Sequence, residues 1–195
     1  MTALPVLNAE PPERADAARN RQRVLEAAER LFEEDPDGVT MEAVAAAAGV
    51  GKGTVFRRFG DRAGLARAVI SPYEAEMQEQ MIRGAPPLGP GAPARQRLIA
   101  FGIAYLRFLE RHSALVRHAE GTESVRLIST VYTLYRTHLT LLLREADCGD
   151  SAPYLADVLM APLAATTFIY HRHVRGLSLD ALITAYEDLI ARLID

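Results

Sequence analysis

Between Thr40 and Phe59 the chain reads TMEAVAAAAGVGKGTVFRRF, and no other stretch constrains the fold as tightly. Thr40 is placed as an N-cap, where its hydroxyl accepts a hydrogen bond from a free first-turn amide. Val44, Ala47 and Ala48 give the following helix an apolar stripe. Gly49 stops it, because a helix C-terminus asks for the left-handed backbone that glycine tolerates. Gly51 opens a second helix with Val55 and Phe59 on one face, leaving Lys52, Thr54, Arg57 and Arg58 outward. Two short helices across such a turn form a helix-turn-helix, whose second helix lies in a DNA major groove.

The run resembles the N-terminal DNA-binding domain of the TetR family of bacterial transcription regulators. The matching positions are Thr40, Val44, Ala48-Gly49-Val50, Gly53-Thr54-Val55-Phe56, Phe59, Arg62 and Leu65. Three positions depart from the family's habit: Gly51 replaces Ser or Ala, Phe56 replaces Tyr, and Arg62 replaces Lys. Phe56 lacks a phenolic hydroxyl that could reach a phosphate, which leaves it a packing or sugar contact. The resemblance implies an all-α protein: a three-helix DNA-binding domain, then a helical domain for ligand binding and dimerisation. It also implies that Thr40, Lys52, Arg62 and a helix-one arginine such as Arg23 hold phosphates. Lys52, Gly53, Thr54, Arg57 and Arg58 would face the base edges.

Charge distribution agrees with that placement. The 195 residues carry a formal charge of only −3, so the chain is no polycation. Yet Arg14, Arg19, Arg21 and Arg23 cluster before the motif, and Lys52, Arg57, Arg58, Arg62 and Arg67 within and after it. The acidic stretch 26–42 lies between them, as expected for a face turned away from DNA. A merely solvated basic face is the competing reading. Cys148 is the only cysteine, which excludes an internal disulfide framework or a cysteine metal cluster. Residues 1–14 have no apolar signal core. Val158–Tyr170 is shorter than a ~20-residue membrane span and contains Pro162. The expectation is a cytoplasmic protein without membrane segment or cofactor.

Four parts are expected: a loose tail over 1–16, the DNA-binding domain over 17–60, a connecting helix over 61–84, and an effector-binding and dimerisation domain over 94–195. Asp61 should cap the connecting helix. Ser71-Pro72-Tyr73-Glu74 reads as a fresh helix start, so a kink or break is expected near Ser71. It would serve either as a hinge or only to steer the chain. GAPPLGPGAP, from Gly84 to Pro93, admits no helix. Beyond it, helices are expected over Ala94–Arg111, Ser113–Glu120, Glu123–Ala146, Ala152–Val174 and Leu179–Ile194.

The helix over Glu123–Ala146 is apolar on two stripes, which suggests a central position. One stripe runs through Val125, Ile128, Tyr132, Tyr135, Leu139 and Leu142; the other holds Leu127, Val131, Leu134, His138 and Leu141. With Phe101, Tyr105 and Phe108 packed around it, Tyr132, Tyr135 and His138 either line a pocket for an apolar or amphipathic small molecule or form plain core. Two seams suit a four-helix dimer interface. One is Leu155, Leu159, Pro162, Thr166 and Ile169; the other is Leu179, Leu182, Tyr186, Leu189 and Leu193. His171 and His173 point ~200° apart on a helix and cannot share a metal.

The expected function is that of a homodimeric, ligand-responsive transcriptional regulator, in the family's commoner mode a repressor, on a palindromic operator. The competing class is a helical adaptor that uses the motif for protein contacts. No phosphate loop, nucleophile elbow or metal spacing suggests an enzyme.

Overall fold

The computed structural model describes residues 15–194, all helix, turn and loop, with no strand among them. The tail expected over 1–16 falls outside the described residues as far as residue 14. Residues 15 and 16 already belong to the first helix. Two compact units divide the chain, one ending at Leu65 and the other beginning at Ala66.

In the first unit, α1 (Ala15–Glu34), α2 (Met41–Ala48) and α3 (Lys52–Phe59) surround a small apolar core. Val24, Ala28 and Phe32 meet Val44, Ala45, Ala48 and Val55, all buried. The local signals act as their chemistry requires. The Thr40 hydroxyl accepts from the Ala43 amide at 3.1 Å. Gly49 sits at φ 62°, and the amides of Gly49 and Val50 reach back to the Ala46 and Ala45 carbonyls, which closes α2 in the glycine-dependent manner. Asp61 caps the next helix by accepting from the Gly64 amide at 2.7 Å.

α4 (Arg62–Arg83) crosses from one unit to the other as a single helix with Pro72 in its interior. The break expected at Ser71 is absent. Proline costs one backbone bond there, and Val69, Ile70, Met77 and Met81 are buried on both sides of it, so side-chain packing holds the helix across the gap.

In the second unit, α5 (Ala94–Glu120) is also unbroken, where two helices were expected. Leu98, Phe101, Tyr105, Leu109, Val116 and Ala119 form one buried row through the Ser113 position, and that continuity outweighs a lone serine. The opposite correction applies to the next two segments. Ser129 divides the expected Glu123–Ala146 helix into α6 (Glu123–Leu127) and α7 (Thr130–Glu145), its hydroxyl accepting from the Tyr132 amide. The expected Ala152–Val174 helix separates into α8 (Ala152–Met160) and α9 (Ala165–Ile169). Pro162 lies in the tight turn between them, and Ala164 is extended at ψ 137°. A short π-turn follows over Tyr170–Val174, then α10 (Leu179–Leu193).

α7 is not central. Its row of Tyr132, Tyr135, Leu139 and Leu142 is buried, but Leu141 is 58% exposed and Ile128, just before the helix, 82%. α5 is the core helix of this unit, packed by α7, α9 and α10. No single helix among the described residues is long and apolar enough to cross a membrane.

Candidate functional site

The exposed end of α3 gathers the residues singled out from the sequence. Lys52, Gly53, Arg57 and Arg58 are exposed and Thr54 is partly so. Lys52 forms an ion pair with Glu42 of α2, and its ammonium stands 5.4 Å from the Phe56 ring centroid. That pair holds the Glu42 carboxyl below its ordinary range, chiefly through the hydrogen bond from Lys52. Phe56 is 38% exposed, an apolar plate beside a cation. A Cβ added to Gly53 would meet nothing within 4 Å. The fold itself therefore has no need of glycine at this position.

A cleft of about 300 Å³ runs beside this tip, between the first half of α1 and the outer side of α3. Arg21, Arg57 and Arg58 line it together with Asn20 and Thr54. Three guanidiniums and two neutral hydrogen-bonding side chains suit a polyanion.

Two expected phosphate ligands have other partners. An Arg23 Nη donates to the Ala48 carbonyl at the end of α2, where a cation also faces the negative pole of the helix. The same guanidinium would lie 2.7 Å from a Cβ at position 49, so Arg23 and Gly49 are fitted to each other. Arg62 donates to the Pro36 carbonyl and lies over the Phe32 ring at 5.9 Å. It ties the start of α4 to the turn after α1. Sequence spacing alone did not reveal either bond, because each spans about 25 residues.

In the second unit the aromatic residues expected either to line a pocket or to form plain core are close-packed. Phe101 stands 5.5 Å from Tyr135, and Tyr105 stands 5.4 Å from Tyr135 and 5.6 Å from Phe108. Phe101, Tyr105 and Tyr135 are almost wholly buried, and burial pushes both phenols well above their usual range. The Tyr132 hydroxyl donates to Asp157 at 2.8 Å, which also accepts from Arg136 at 2.7 Å. This bond, after burial, raises Tyr132 to about 12 and joins α7 to α8. His138, 6.0 Å from Phe101, is brought down to about 4 by burial and then by Arg97. Its Nε2 is buried with no hydrogen-bond partner among the described residues, whereas Gln78 is within reach of the Tyr135 hydroxyl. Glu74 of α4 adds a half-buried carboxyl near both Tyr105 and Tyr135.

The two seams expected at a dimer interface are only partly at the surface. Leu159 and Tyr186 are buried inside the unit, Tyr186 lying so close to Gly102 that a Cβ there would sit 1.9 Å from its ring. Leu155, Pro162, Ile169, Leu179, Leu182, Leu189 and Leu193 are partly exposed and Thr166 is exposed. The sequence reading missed Tyr154 on α8 and Tyr170 and Val174 in the π-turn after α9, three large exposed apolar residues. It also missed the Arg172 guanidinium, which grips both carboxylate oxygens of Glu110 at 2.8 and 2.5 Å.

A compact helix-turn-helix with an exposed basic tip, joined through α4 to a separate all-helical unit, defines a DNA-binding protein of the transcription-regulator class. Residues 24–69 match the family model described as bacterial regulatory proteins, tetR family. A curated HTH-type transcriptional regulator of Staphylococcus aureus (strain MRSA252) is 25% identical over 92% of this chain and 98% of its own length. A TetR-like regulator from Rhodococcus sp. RHA1 superposes with TM-score 0.63 at 20% identity, over 93% of this chain and 97% of the other. NalD, the secondary repressor of the MexAB-OprM multidrug efflux pump in Pseudomonas aeruginosa, does so with TM-score 0.64 at 19% identity, over 93% and 98%. Residues 24–69 thus form a DNA-binding domain of the tetR type, and the fold of the chain is shared with solved transcriptional regulators.

Proposed function

We propose that this regulator is a homodimeric repressor whose hold on a palindromic operator responds to a small molecule bound in the second unit. The exposed, glycine-bearing tip of α3 carries the reading. Gly53 has open space around it, so the surface that benefits from a missing side chain lies outside the protein. A duplex supplies that surface. Lys52, Gly53 and Thr54 approach base edges at the start of the helix, and Arg57 pairs with a guanine where the site offers one. Thr40, Arg58 and the α1 side of the cleft hold phosphates, while Arg23 and Arg62 keep the scaffold in register. Phe56 packs against sugars. Two such heads, one per protomer, read half-sites about one helical turn apart. The partly exposed leucines of α8 and α10, with Tyr154 and Tyr170, supply the apolar surface for pairing. NalD, alike in fold, is described as a repressor, which favours that mode.

The test is fluorescence anisotropy of the full chain on a palindromic duplex taken from DNA flanking its coding region, at several salt concentrations, with sedimentation of the free protein. Steeply salt-dependent binding to the palindrome by a dimer is expected. A monomer at micromolar concentration would remove the dimer, and indifference to DNA would favour a protein-binding adaptor.

A further inference from the structure

A single row on α5 changes character along its length. Ile99 and Ile103 are followed at four-residue intervals by Arg107 and Arg111, so the four stack on one face over about 18 Å. This row forms one wall of two cavities between α4 and α5, both inside the second unit. The first, about 560 Å³, is open to solvent, is lined on one side by Leu88 and Pro87 of the connecting loop, and is mainly apolar. The second, about 260 Å³, holds Tyr73, Phe108, His112 and both arginines. Gln80, Ala104 and Arg107 line both cavities, which makes them one trough with an apolar end and a basic end. Arg107 and Arg111 make no ion pair or hydrogen bond among the described residues. One carboxylate, Glu76, lines the basic end, and it already accepts from the Gln80 amide at 3.4 Å.

We propose that this trough binds an amphipathic carboxylate, with its hydrocarbon chain on Leu88, Ile99 and Ile103 and its headgroup on the guanidinium of Arg107. The assignment rests on the reading of the second unit as effector-binding and names the effector's chemistry. A guanidinium presents parallel donors that match both oxygens of a carboxylate. The apolar end rewards each methylene removed from water. An alcohol would gain only the second of these, and an alkylammonium would be repelled by the arginines. α4 forms the opposite wall and continues into the DNA-binding unit, so a filled trough bears directly on the element that carries the reading head.

The experiment is calorimetric titration of the full chain with dodecanoate, dodecanol and dodecyltrimethylammonium, the two ionic amphiphiles below their micelle concentrations and the alcohol below its solubility limit. Dodecanoate should bind best. Arg107→Gln should weaken dodecanoate at least tenfold and change dodecanol by less than twofold. Ala104→Trp, which fills the middle of the trough, should abolish both, with circular dichroism confirming that each variant is folded. No dodecanoate binding, equal binding by Arg107→Gln, or preference for the cation would overturn the assignment. Duplex binding measured on the same preparations keeps the two questions apart. A protein that binds its operator but ignores dodecanoate loses this ligand class and remains a regulator. One that binds dodecanoate through Arg107 yet never binds a duplex keeps the site and loses the regulatory reading.

Discussion

Lys52, the first residue of α3, is ion-paired with Glu42 in the first turn of α2. The pair bridges the two helices of the motif, and both side chains are more than half exposed, at 60% and 52%. An exposed pair of this kind adds little to stability. On the proposed DNA-binding role of α3, Lys52 must leave Glu42 or share it before reaching a phosphate or base. Glu42→Gln should therefore tighten operator binding about three- to tenfold at low salt, with the gain shrinking as salt rises. Lys52→Ala should weaken binding by a similar factor. Anisotropy across a salt series checks both. Unchanged affinity in Glu42→Gln would show that Lys52 is not a DNA contact.

Gly53 separates stability from function. It lies in the first turn of α3, without positive φ, and an added methyl group meets nothing within 4 Å. Gly53→Ala should leave the melting temperature unchanged or raise it, since alanine is favoured in a helix by about 0.5–1 kcal/mol. The same change should cost operator affinity at least tenfold by holding α3 off the groove. A variant that is more stable and binds DNA as well as the parent would remove the close-approach role.

Arg57 and Arg62 should fail differently. Arg57 is exposed on α3, and on the proposed role Arg57→Ala should cost about 1–3 kcal/mol on the preferred site and relax choice at one base position. Arg62 is tied to Pro36 and lies over Phe32. Arg62→Ala should lower stability by about 1–2 kcal/mol and leave the slope of affinity against salt unchanged. Thermal unfolding beside salt-series binding distinguishes them. A flattened slope in Arg62→Ala would return that residue to the phosphate contacts.

Arg23 and Arg62 also mark how far the sequence could be read. The first unit was legible because its signals are local. Thr40, Gly49 and Asp61 act on amides within three or four residues, and the apolar spacing of α2 and α3 leaves one fold open to them. What a long side chain does at a distance was not legible: Arg23 and Arg62 reach carbonyls that the spacing of charges does not indicate. Helix ends in the second unit were misjudged in both directions for one reason. A serine or proline is a helix signal only where the burial pattern permits it. Ser129 follows the exposed Leu127 and Ile128, and Pro162 precedes the extended Ala164, whereas Ser113 and Pro72 stand inside buried rows that continue. The aromatic cluster was foreseen as a group, but its close packing, and the trough formed instead between α4 and α5, depend on tertiary placement that periodicity does not carry.

Gly102 of α5 leaves room for the Tyr186 ring of α10. A Cβ at position 102 would overlap the Tyr186 ring at 1.9 Å, so Gly102→Ala must displace α10 or rotate the ring. A loss of about 2–4 kcal/mol is expected, above the usual cost of overpacking because the clash meets a rigid ring. The Tyr186 hydroxyl is buried without a partner among the described residues. Tyr186→Phe removes that unpaired group and should be neutral or stabilising by up to about 1 kcal/mol. Denaturant unfolding measures both, and a destabilised Tyr186→Phe would reveal a hydrogen bond to the hydroxyl in solution.

Glu74 should make stability fall as pH rises through neutrality. Burial lifts its carboxyl from 4.5 to about 7, so the folded protein holds this proton where the unfolded chain has released it. The group contributes most below pH 4.5, and its contribution declines until the folded carboxyl is ionised above pH 7. Glutamine mimics the protonated form throughout. Glu74→Gln should therefore match the parent near pH 4.5 and exceed it by about 1–3 kcal/mol at pH 8, a shift of this size being worth ~1.4 kcal/mol per unit before water access reduces it. His138 acts in the opposite sense, since its lowered pKa of about 4 removes stability as pH falls below 6.5. The comparison is accordingly made between parent and variant at each pH, where the histidine contributes equally to both. Melting curves that separate progressively from pH 5 to pH 8 are expected. Curves that coincide at pH 8 would mean that the Glu74 carboxylate is solvated or paired in the folded protein.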